Sequence, residues 1–536
     1  MTAYAYPLLI KQLLVTPIAQ ASRNEIVYRD QVRYGYPMLK QRIGRLGSAL
    51  AGIGVKPGDT VAVMDWDSHR YLEAFFAVPM LGAVLQTVNI RLSPEQIIYT
   101  LNHARADIIL CNTEFLPLLK GIRGQLQTVK QFICLSDDGM VPGDFAWDGE
   151  YETLLSSADP ARDFPDFDEN TRATTFYTTG TTGLPKGVYF SHRQIVLHTL
   201  SLLANLALAA PSQSLTRDDV YMPITPMFHV HAWGFPYAAV LGGMKQVYPG
   251  RYTPDALIKL YVEEKVTFSH CVPTIMAMLL GCPAAQAVDF TGWKVIIGGS
   301  ALPKALALAA QARGIDIFGG YGMSETGPLL TLSLLKTELM DGAETELNTR
   351  VLAGLPAPLV DLRIVDPEMN DMPRDGVSVG EVVARAPWLT QGYLHNPEAS
   401  ATLWAGGYLH TNDIGRIDEN GYLHITDRIK DVIKTGGEWL SSLDLEDIIG
   451  QHPSVAEVAV IGVKDEKWGE RPLALVVLRA GQAVDVAVLK AHVMGFADKG
   501  IVSKYAVPER ILFVETLDKT SVGKLDKKAM RVKFAG

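Results

Sequence analysis

The sequence predicts an α/β fold: a large amino-terminal domain of parallel-sheet α/β layers, a β-rich subdomain, and a small α+β carboxy-terminal domain. Two observations lead to this prediction. From Pro57 onward, short apolar runs typical of strands alternate with runs typical of helices, which is the βαβ pattern of a parallel sheet. After about Gly380 the pattern changes to short polar strands and glycine turns, followed by a final unit of about one hundred residues.

The elements of the first part follow in order along the chain. The pattern predicts strands at 60–64, 84–88 and 108–111, with helices at 69–79 and 94–103 between them. Further buried strands are predicted at 268–272, 294–298 and 315–318, and the last two are followed by turns that contain glycine. Ligands of open α/β sheets commonly bind at such turns, so we expect the functional site there.

The carboxy-terminal unit has its own helices and strands. The pattern predicts helices at 443–449 and 486–493 and strands at 455–463, 473–478 and 511–514. The change in sequence pattern between the β-rich part and the final unit predicts a linker at residues 427–430. We therefore divide the chain into a domain of residues 1–428 and a domain of residues 429–536.

Composition and charge narrow the class of ligand. The 536 residues are 48% hydrophobic and carry a formal net charge of -9, which gives no basic field for nucleic acid, so a small molecule is the expected partner. Four scattered cysteines, without a Cys-x-x-Cys pair or a secretory signal, favour a cytoplasmic location. The longest apolar stretch, 195–210, is interrupted by polar residues and predicts a core helix, so we expect no integral membrane segment.

The most informative segment is a run of threonines and glycines that ends in a lysine. It consists of Thr178, Thr179, Gly180, Thr181, Thr182, Gly183, Leu184, Pro185, Lys186 and Gly187. Glycines let backbone N–H groups approach an anion, hydroxyls add donors, and the lysine adds positive charge. The pattern is not of the Walker type, because Pro185 precedes the lysine and Gly187 follows it. The segment predicts a polyphosphate-binding loop, and the alternative is a mobile polar loop.

Two more polar clusters follow predicted strands. Residues 298–303 can offer backbone N–H groups to an adenine or a phosphate, a weak signal when taken alone. Residues 321–326 combine hydroxyls with the carboxylate of Glu325, a composition suited to holding a phosphate together with Mg²⁺, which prefers oxygen ligands. The alternative for this second cluster is an ordinary helix start capped by Ser324.

Residues 228–233 contain two histidines, His229 and His231, that would point to one side of a strand. Nothing nearby supplies a third ligand, so a zinc site is disfavoured and we expect histidines that line a pocket or are satisfied in the core. Further along, Asp413 offers a carboxylate suited to ribose hydroxyls, Arg428 offers a donor, and Lys524 lies on a predicted flexible turn.

Together these segments resemble the adenylate-forming superfamily, which includes acyl-CoA synthetases, luciferases and amino-acid adenylation domains. The loop at 178–187 resembles the signature of that family, and the segment 321–325, Asp413, Arg428 and Lys524 occur in the family's order and approximate spacing. The resemblance covers nearly the whole chain. It implies an AMP-forming acid–thiol ligase that uses ATP, Mg²⁺ and coenzyme A.

The resemblance also assigns roles to single residues. It implies that Lys524, Glu325 and Thr178 are catalytic, with Lys524 bridging the attacking carboxylate and the phosphate, and with Glu325 and Thr178 as Mg²⁺ ligands. Tyr321 would stack on the adenine ring, and Asp413 and Arg428 would hold the ribose. The nucleotide site implied in full is Thr178, Thr179, Gly180, Thr181, Thr182, Gly183, Lys186, Gly299, Ser300, Ala301, Gly320, Tyr321, Gly322, Met323, Ser324, Thr326, Asp413, Arg428 and Lys524.

Two half-reactions are implied by the same resemblance. A carboxylate attacks the α-phosphorus of ATP to give acyl-AMP and pyrophosphate, and the thiol of coenzyme A then attacks the acyl carbonyl and releases AMP. The family rotates its carboxy-terminal domain between the two steps. Lys430 matches the hinge of that rotation, and the residues implied at the channel for coenzyme A are Gly436, Gly437, Glu438 and Trp439.

The acyl pocket implied by the resemblance consists of His229, His231, Trp233, Gly298, Gly322 and Trp388. Members that activate amino acids usually carry Asp where this chain has His229, so an α-amino acid is disfavoured. Acetate-specific members carry Trp where this chain has Gly322, so the glycine should leave room beyond two carbons. The expected substrate is a short- to medium-chain carboxylic acid.

A narrower resemblance is to the bacterial methylmercaptopropionate-CoA ligases of dimethylsulfoniopropionate catabolism. Pockets discriminate chains that differ by one methylene or sulfur by only about 1–3 kcal/mol, so the exact acid stays open. Two alternatives are a ligase that loads a separate carrier protein and a non-catalytic nucleotide-binding switch. A homodimer is also left open.

Overall fold

The structure is a computed structural model that describes residues 4–178, 184–435, 438–520 and 524–534, with only the backbone described for Glu438 and Trp439. The strands of the described residues are β1 (Glu25–Tyr28), β2 (Val32–Gly35), β3 (Thr60–Met64), β4 (Val84–Thr87), β5 (Ala106–Asn112), β6 (Gln131–Leu135), β7 (Gly149–Glu150), β8 (Arg172–Thr178), β9 (Lys186–Ser191), β10 (Val220–Pro223), β11 (Lys245–Tyr248), β12 (Phe268–Cys271), β13 (Lys294–Ile297), β14 (Asp316–Gly322), β15 (Leu329–Leu332), β16 (Leu355–Pro356), β17 (Asp361–Val365), β18 (Gly380–Arg385), β19 (Leu409–Ile417), β20 (Leu423–Arg428), β21 (Ile433–Thr435), β22 (Glu438–Leu440), β23 (Val455–Asp465), β24 (Gly469–Leu478) and β25 (Arg510–Phe513).

The right-handed α-helices of the same residues are α1 (Val15–Ala19), α2 (Tyr36–Gly52), α3 (His69–Met80), α4 (Pro94–His103), α5 (Leu116–Ile122), α6 (Tyr151–Ser156), α7 (His192–Ala207), α8 (Phe235–Gly242), α9 (Pro254–Glu264), α10 (Pro273–Gly281), α11 (Lys304–Gln311), α12 (Ala343–Arg350), α13 (Pro397–Leu403), α14 (Ser442–Gly450), α15 (Val486–Ala497) and α16 (Lys527–Phe534). Among them, none reaches the length and apolarity that crossing a membrane needs.

Two large sheets form the amino-terminal part. One has seven strands in the order β7-β6-β5-β3-β4-β8-β9, and the other has nine in the order β16-β15-β14-β13-β12-β10-β11-β1-β2. Adjacent strands in the first sheet are parallel except β8 and β9, and β10 to β14 of the second are parallel as well. The predicted α/β fold with parallel sheets is therefore confirmed.

Two smaller sheets complete the fold. An antiparallel sheet in the order β17-β18-β19-β20 is the predicted β-rich subdomain, and a five-stranded sheet of β21 to β25 forms the carboxy-terminal unit. The proposed division after residue 428 falls between β20 and β21, which belong to different sheets. The carboxy-terminal sheet packs on its own buried core, which includes Ile433, Leu445 and Val476.

Three local predictions differ from the structure. The β-rich subdomain begins at Asp361 and not near Gly380, because the short β17 carries too little apolar pattern to stand out from the turns around it. The strand predicted at 315–318 continues to Gly322, so the glycines after Phe318 extend the strand instead of ending it. Residues 230–233 are not a strand, since all four have φ between +47° and +59°, a left-handed turn.

The register of the second sheet positions the site. Cys271 pairs with Ile297, and Ile297 pairs with Gly319, so β12 and β13 end level with each other and β14 runs on past them. The segments that follow β12 and β13 therefore meet the end of β14 at one edge of the sheet. This is the edge where open α/β sheets bind ligands.

Candidate active site

A cavity opens at this edge and extends to the carboxy-terminal unit. Together with its open mouth, the cavity has a volume of about 920 Å³. Its walls come from the ends of the parallel strands, from residues 224–235 and from β15. The predicted site residues that line it are His229, Trp233, Gly298, Gly299, Gly320, Tyr321, Gly322, Met323, Ser324 and Lys524.

Three glycines on the wall are required by what lies against them. A Cβ on Gly298 would lie 2.9 Å from the indole of Trp233, and a Cβ on Gly299 would lie 3.0 Å from Cε of Lys524. A Cβ on Gly322 would lie 1.6 Å from the carbonyl oxygen of Pro328. At Gly298 and Gly322 a Cβ cannot be accommodated without a shift of its neighbours. At Gly299 the nearest atom belongs to the flexible end of a lysine, but the φ of +80° at this residue favours glycine.

The reason given from sequence for Gly322 needs correction. The resemblance explains this glycine as leaving room for an acyl chain. In the structure the carbonyl oxygen of Pro328 would collide with any Cβ at this position. This backbone contact explains why the residue is glycine. Gly322 therefore says little about the length of the substrate.

Tyr321, Asp413 and Arg428 come together from three strands. The hydroxyl of Tyr321 donates to Oδ2 of Asp413 at 2.7 Å, and Nε of Arg428 lies 3.2 Å from Oδ1. Asp413 and Arg428 are register partners in β19 and β20, which explains their closeness despite the residues between them. Burial raises the pKa of the Asp413 carboxyl, while the guanidinium of Arg428 opposes that rise.

Glu325 lies in a second polar cluster with Tyr393 and Lys186. Its Oε1 accepts from the hydroxyl of Tyr393 at 2.7 Å, and the ammonium of Lys186 lies 4.6 Å from the centroid of the Tyr393 ring. Burial raises the pKa of the Glu325 carboxyl, and the hydrogen bond from Tyr393 opposes the rise. Lys186 pairs with Thr178 across the β8–β9 ladder, so the two ends of the predicted phosphate loop are adjacent.

Lys524 reaches the cavity from the carboxy-terminal unit. Its Cε lies 3.0 Å from the position that a Cβ on Gly299 would take, and its carbonyl oxygen accepts from the N–H of Thr520 at 2.7 Å. The pKa of its ammonium is lowered to about 8, mainly by burial; the positive charge of Arg428 acts in the same direction, whereas Asp413 and Glu325 oppose the shift. A lysine with a lowered pKa at a cavity wall is typical of functional sites.

A buried polar network connects the unit that carries Lys524 to β20. Oδ2 of Asp427 accepts from the N–H of Ser442 at the start of α14, at 2.6 Å. The ammonium of Lys527, at the start of α16, lies 2.7 Å from Oε1 of Glu446 and donates to the hydroxyl of Ser442 at 2.5 Å. Since Lys527 is three residues from Lys524, this network anchors the segment that places Lys524 in the cavity. Lys430, the predicted hinge, is exposed between the two sides.

Two residues predicted for the acyl pocket do not line this cavity among the described residues. His231 is surrounded by rings of the core, including Phe75 and Phe176, because the left-handed turn sends it away from His229. Trp388 is completely buried, and its indole N–H donates to the carbonyl of Leu329 at 3.3 Å. Both predictions are therefore corrected: these side chains pack behind the wall and do not form it.

Other predicted residues lie near the site or beyond what the structure describes. Ser300 and Ala301 are exposed on the turn after Gly299, and the hydroxyl of Thr326 bonds to the backbone of Met323 and Pro328. The predictions for Thr179, Gly180, Thr181, Thr182, Gly183, Gly436 and Gly437 fall outside the described residues, as do those for the side chains of Glu438 and Trp439.

Sequence reasoning missed Arg91 and Tyr393. Arg91 lines the cavity near His229, and its guanidinium lies 5.8 Å from the centroid of Phe228 and 6.0 Å from that of Tyr252. Among the described residues no carboxylate forms an ion pair with it. Its position just after β4, at the carboxyl end of a parallel strand, is a signal that could have found it. Tyr393 carries no such signal, since it is a single aromatic residue in a loop.

Comparisons with known proteins place the chain in a family. A family model described as "AMP-binding enzyme" matches residues 16–394, and one described as "AMP-binding enzyme C-terminal domain" matches residues 444–524. The chain belongs to the adenylate-forming family of AMP-binding enzymes.

Its relatives within that family are ligases of coenzyme A. It is 42% identical over 527 residues to a long-chain-fatty-acid–CoA ligase of Thermus thermophilus, covering 96% of this chain and 93% of the relative. It is 36% identical over 552 residues to a 3-methylmercaptopropionyl-CoA ligase of Ruegeria lacuscaerulensis, covering 98% and 97%. It is also 36% identical over 503 residues to a medium-chain-fatty-acid–CoA ligase of Ectopseudomonas oleovorans, covering 92% and 89%.

Solved structures share the whole fold. The crystal structure of ATP-bound MatB from Rhodopseudomonas palustris superposes with a TM-score of 0.83 at 25% identity and covers 99% of both chains. The anthranilate CoA ligase AuaEII in complex with anthranoyl-AMP superposes with a TM-score of 0.86 at 23% identity, covering 99% of this chain and 98% of that one. Because its identity is only 23%, the second structure shows similarity of the fold alone.

Proposed function

We propose that this chain is an ATP-dependent acyl-CoA ligase that converts a short- to medium-chain carboxylic acid first into acyl-AMP and then into acyl-CoA. It is an AMP-forming acid–thiol ligase, like the relatives it resembles over nearly its full length. One observation carries the proposal: Lys524 from the carboxy-terminal unit and the Tyr321 segment of β14 line the same cavity. That arrangement brings a cation to the place where a nucleotide and an acid would meet.

The nucleotide would be held by the two polar clusters. Asp413 and Arg428 suit the ribose hydroxyls, since a carboxylate accepts from them and a guanidinium donates. Lys186, with Thr178 next to it, supplies positive charge and a hydroxyl for the phosphates. Tyr321 has its hydroxyl on Asp413, which fixes the ring beside the proposed adenine slot.

The donor set also fits Mg²⁺. Glu325 is a buried carboxylate that accepts a hydrogen bond from the hydroxyl of Tyr393. Burial raises its pKa, and the positive charges of Lys186 and Arg428 offset that rise only in part. Carboxylate and hydroxyl oxygens are the ligands that Mg²⁺ prefers, so Glu325 and Thr178 would hold it. When bound, the cation supplies neutralisation of negative charge on the phosphates.

Lys524 would act in the first half-reaction. The attack of a carboxylate on the α-phosphorus brings two anionic groups together, and negative charge builds on the phosphorus-bound oxygens. An ammonium fixed between these groups stabilises that charge more than it stabilises the separated substrates. Its burial makes the interaction stronger than it would be in water.

The second half-reaction would follow a rotation of residues 429–536 about Lys430. The thiol of coenzyme A attacks the acyl carbonyl, the C–O bond to the phosphate breaks, and AMP leaves. Lys524 is not needed for this step, so removing it from the cavity opens space for the thiol. Residues 436–439 would then line the channel for coenzyme A. The guanidinium of Arg91 donates to the hydroxyl of Tyr252 at 3.5 Å and forms no ion pair with a carboxylate among the described residues, so it would offer a contact for an anionic group of a substrate.

The acyl group would lie against an apolar wall formed by Trp233, Val230 and Leu329. Burial lowers the pKa of His229 to about 3, so it stays neutral and offers no negative charge to an α-ammonium group. An amino acid is therefore disfavoured, and an apolar acid such as methylmercaptopropionate or a short fatty acid suits the wall. The free thiols of all four cysteines suit the cytoplasm, where we place the enzyme.

A screen of carboxylic acids tests this function. Coenzyme A-dependent release of AMP from ATP and Mg²⁺ would be measured for acids from acetate to dodecanoate, including methylmercaptopropionate. We expect the highest kcat/KM between butyrate and octanoate, and none with α-amino acids. A reaction that needs an acylated carrier protein in place of free coenzyme A would point to the carrier-loading alternative, and no AMP with any acid would contradict the proposal.

A further inference from the structure

Two histidines meet where the end of α4 touches the segment 393–395. The rings of His103, in the last turn of α4, and of His395 have centroids 5.3 Å apart and an angle of 72° between them. Tyr99, on the same helix, stacks on His103 with centroids 5.2 Å apart. His395 is exposed, and its φ of +51° is a left-handed conformation that is uncommon for a residue with a side chain. The pair is therefore packed on one side and open to solvent on the other.

Within the described part of the chain, no carboxylate forms an ion pair with either histidine. The described histidines that do lie in ion pairs with carboxylates are His69 and His410. The group that faces His103 from β8 is Tyr177, whose hydroxyl lies 2.9 Å from Nδ1 and stays neutral because burial raises its pKa. The charged group near that tyrosine is Arg172, a cation. Two protonated imidazoles would therefore repel each other without a counterion from the protein.

The position of His103 also opposes its protonation. Burial lowers the pKa of this imidazole, and the neighbouring His395 lowers it further. A lowered pKa means that the packed arrangement takes up a proton less readily than an opened or unfolded one. The contact is therefore complete above about pH 6.5, the ordinary value for histidine, and it weakens as the pH falls below that value.

The pair is connected to the two strands that bound the predicted phosphate loop. Tyr177 is the register partner of Gly187 in the β8–β9 ladder, next to the end of the loop at Lys186. From the other side, the N–H of Leu394, the residue before His395, donates to the carbonyl of Gly187 at 2.8 Å. A Cβ on Gly187 would lie 3.1 Å from Cβ of Leu394 and 3.2 Å from the ring of Tyr177. Displacement of His395 would therefore loosen the backbone that follows Lys186.

From this geometry we propose that His103 and His395 form an acid-sensitive brace of the phosphate loop, which opens when both imidazoles carry a proton and thereby lowers the affinity for ATP. Repulsion between the two cations moves His395 and the adjoining Leu394 away from Gly187, so the carbonyl of Gly187 loses its hydrogen bond. At neutral pH the brace is closed. The inference goes beyond the proposed function and rests on it for the ligand, because the loop is proposed to bind ATP.

Binding of MgATP at two pH values tests the effect on the ligand. Dissociation constants would be measured by calorimetry, without acid or coenzyme A, at about pH 5.5 and about pH 7.5 for the wild type, H395N and H103N. Asparagine takes up no proton in this range, and at position 395 it tolerates the left-handed backbone. The phosphates of ATP also take up protons here, so the loss of affinity is compared between variants. We expect the loss on acidification to be about three to ten times larger in the wild type than in either variant.

Hydrogen exchange tests the opening of the brace without a ligand. At about pH 5.5 the amides of β9 and of Leu394 should exchange at least about threefold faster in the wild type than in H395N, because the brace opens only where both histidines are present. At about pH 7.5 the two proteins should exchange these amides at the same rate. Comparison at one pH removes the dependence of intrinsic exchange on acidity.

A second pair of histidines provides the matched control. His452 and His492 lie in the carboxy-terminal unit, with ring centroids 5.4 Å apart and an angle of 87° between the rings. H452N should match the wild type in its loss of affinity and in the exchange of β9. Equal losses of affinity in the wild type and H395N, or equal exchange of these amides at about pH 5.5, overturn the inference. A wild type that binds no ATP at either pH overturns the proposed function, while the exchange comparison still decides whether the brace exists.

Discussion

At the level of single residues, the charge of Lys524 is the feature most directly tied to chemistry. Burial is the main cause of its lowered pKa of about 8, and the charged groups that face it are Arg428, Asp413 and Glu325. An ammonium with a lowered pKa loses its proton at a lower pH than a lysine in water. The positive charge of Lys524, which we propose acts in the first half-reaction, is therefore present below about pH 8 and is lost as the pH rises through that value.

The first half-reaction should follow this titration. Acid-dependent exchange of pyrophosphate into ATP, measured between about pH 6 and about pH 10, should fall as the pH rises through the range around 8. In K524R the alkaline fall should disappear, because a guanidinium keeps its proton throughout this range. An identical alkaline fall in K524R would contradict the assignment of the titration to Lys524.

Gly322 provides a second test at this scale, now of stability. A Cβ at this position would lie 1.6 Å from the carbonyl oxygen of Pro328, so G322A must push two backbone segments apart. We expect a loss of about 2–4 kcal/mol in the free energy of unfolding, measured by denaturant titration. As a control, G121A places a methyl group in open space within α5 and should be neutral or slightly stabilising. Equal stabilities of the two variants would contradict the packing described.

How far single residues can be predicted depends on the kind of signal they carry. Lys524, Gly299 and Tyr321 stand in compact polar motifs, and the structure brings these three to one cavity. His231 was misplaced because the left-handed turn at 230–233 cannot be inferred from a sequence without glycine or asparagine in those positions. Arg91 was missed because its surroundings form only when β4 and the segment before Trp233 pack together.

At the level of elements, local signals explain what was predicted well. The helix at 94–103 was predicted with its exact limits, since Ser93 and Gln96 form a capping box and Pro94 occupies the first turn. The buried parallel strands were also located, because apolar runs bounded by glycine turns are typical of them. By contrast, β17 lies at the edge of its sheet and has only five residues. Its alternation of apolar and polar residues is therefore too short to recognise.

The contact between β20 and α14 should favour the orientation that places Lys524 in the cavity. D427A removes the carboxylate that accepts from the N–H of Ser442, leaving a helix N-terminus without its partner. Pyrophosphate exchange should fall about tenfold, while formation of acyl-CoA from supplied acyl-AMP should change by less than about twofold.

D485A is the matched control for this variant. Asp485 also accepts from an N–H at the start of a helix, that of Ala487 at 2.7 Å, but it caps α15 within the carboxy-terminal unit. Loss of the Asp485 carboxylate should lower the rates of both half-reactions only slightly and to the same extent. If D427A behaves as D485A does, the contact between β20 and α14 has no part in orienting Lys524.

At the level of the whole molecule, the chain has two units to which we assign different roles. The larger unit supplies the parallel-strand edge, the apolar wall and the polar clusters that we propose bind the nucleotide, and the smaller unit supplies Lys524. The class of fold followed from the alternation of strands and helices, and the family followed from the order of motifs along the chain. The shape of the cavity wall did not follow, because it depends on how Trp233 packs against residues distant in sequence, such as His270.

The most direct test of the central claim compares the two half-reactions in the wild type and in K524A. The wild type should exchange pyrophosphate into ATP only when a suitable acid is present, and K524A should lose at least about a hundredfold of that rate. Formation of acyl-CoA from supplied acyl-AMP should remain largely intact in K524A. Exchange that needs no acid, or equal loss of both half-reactions in K524A, would contradict the account.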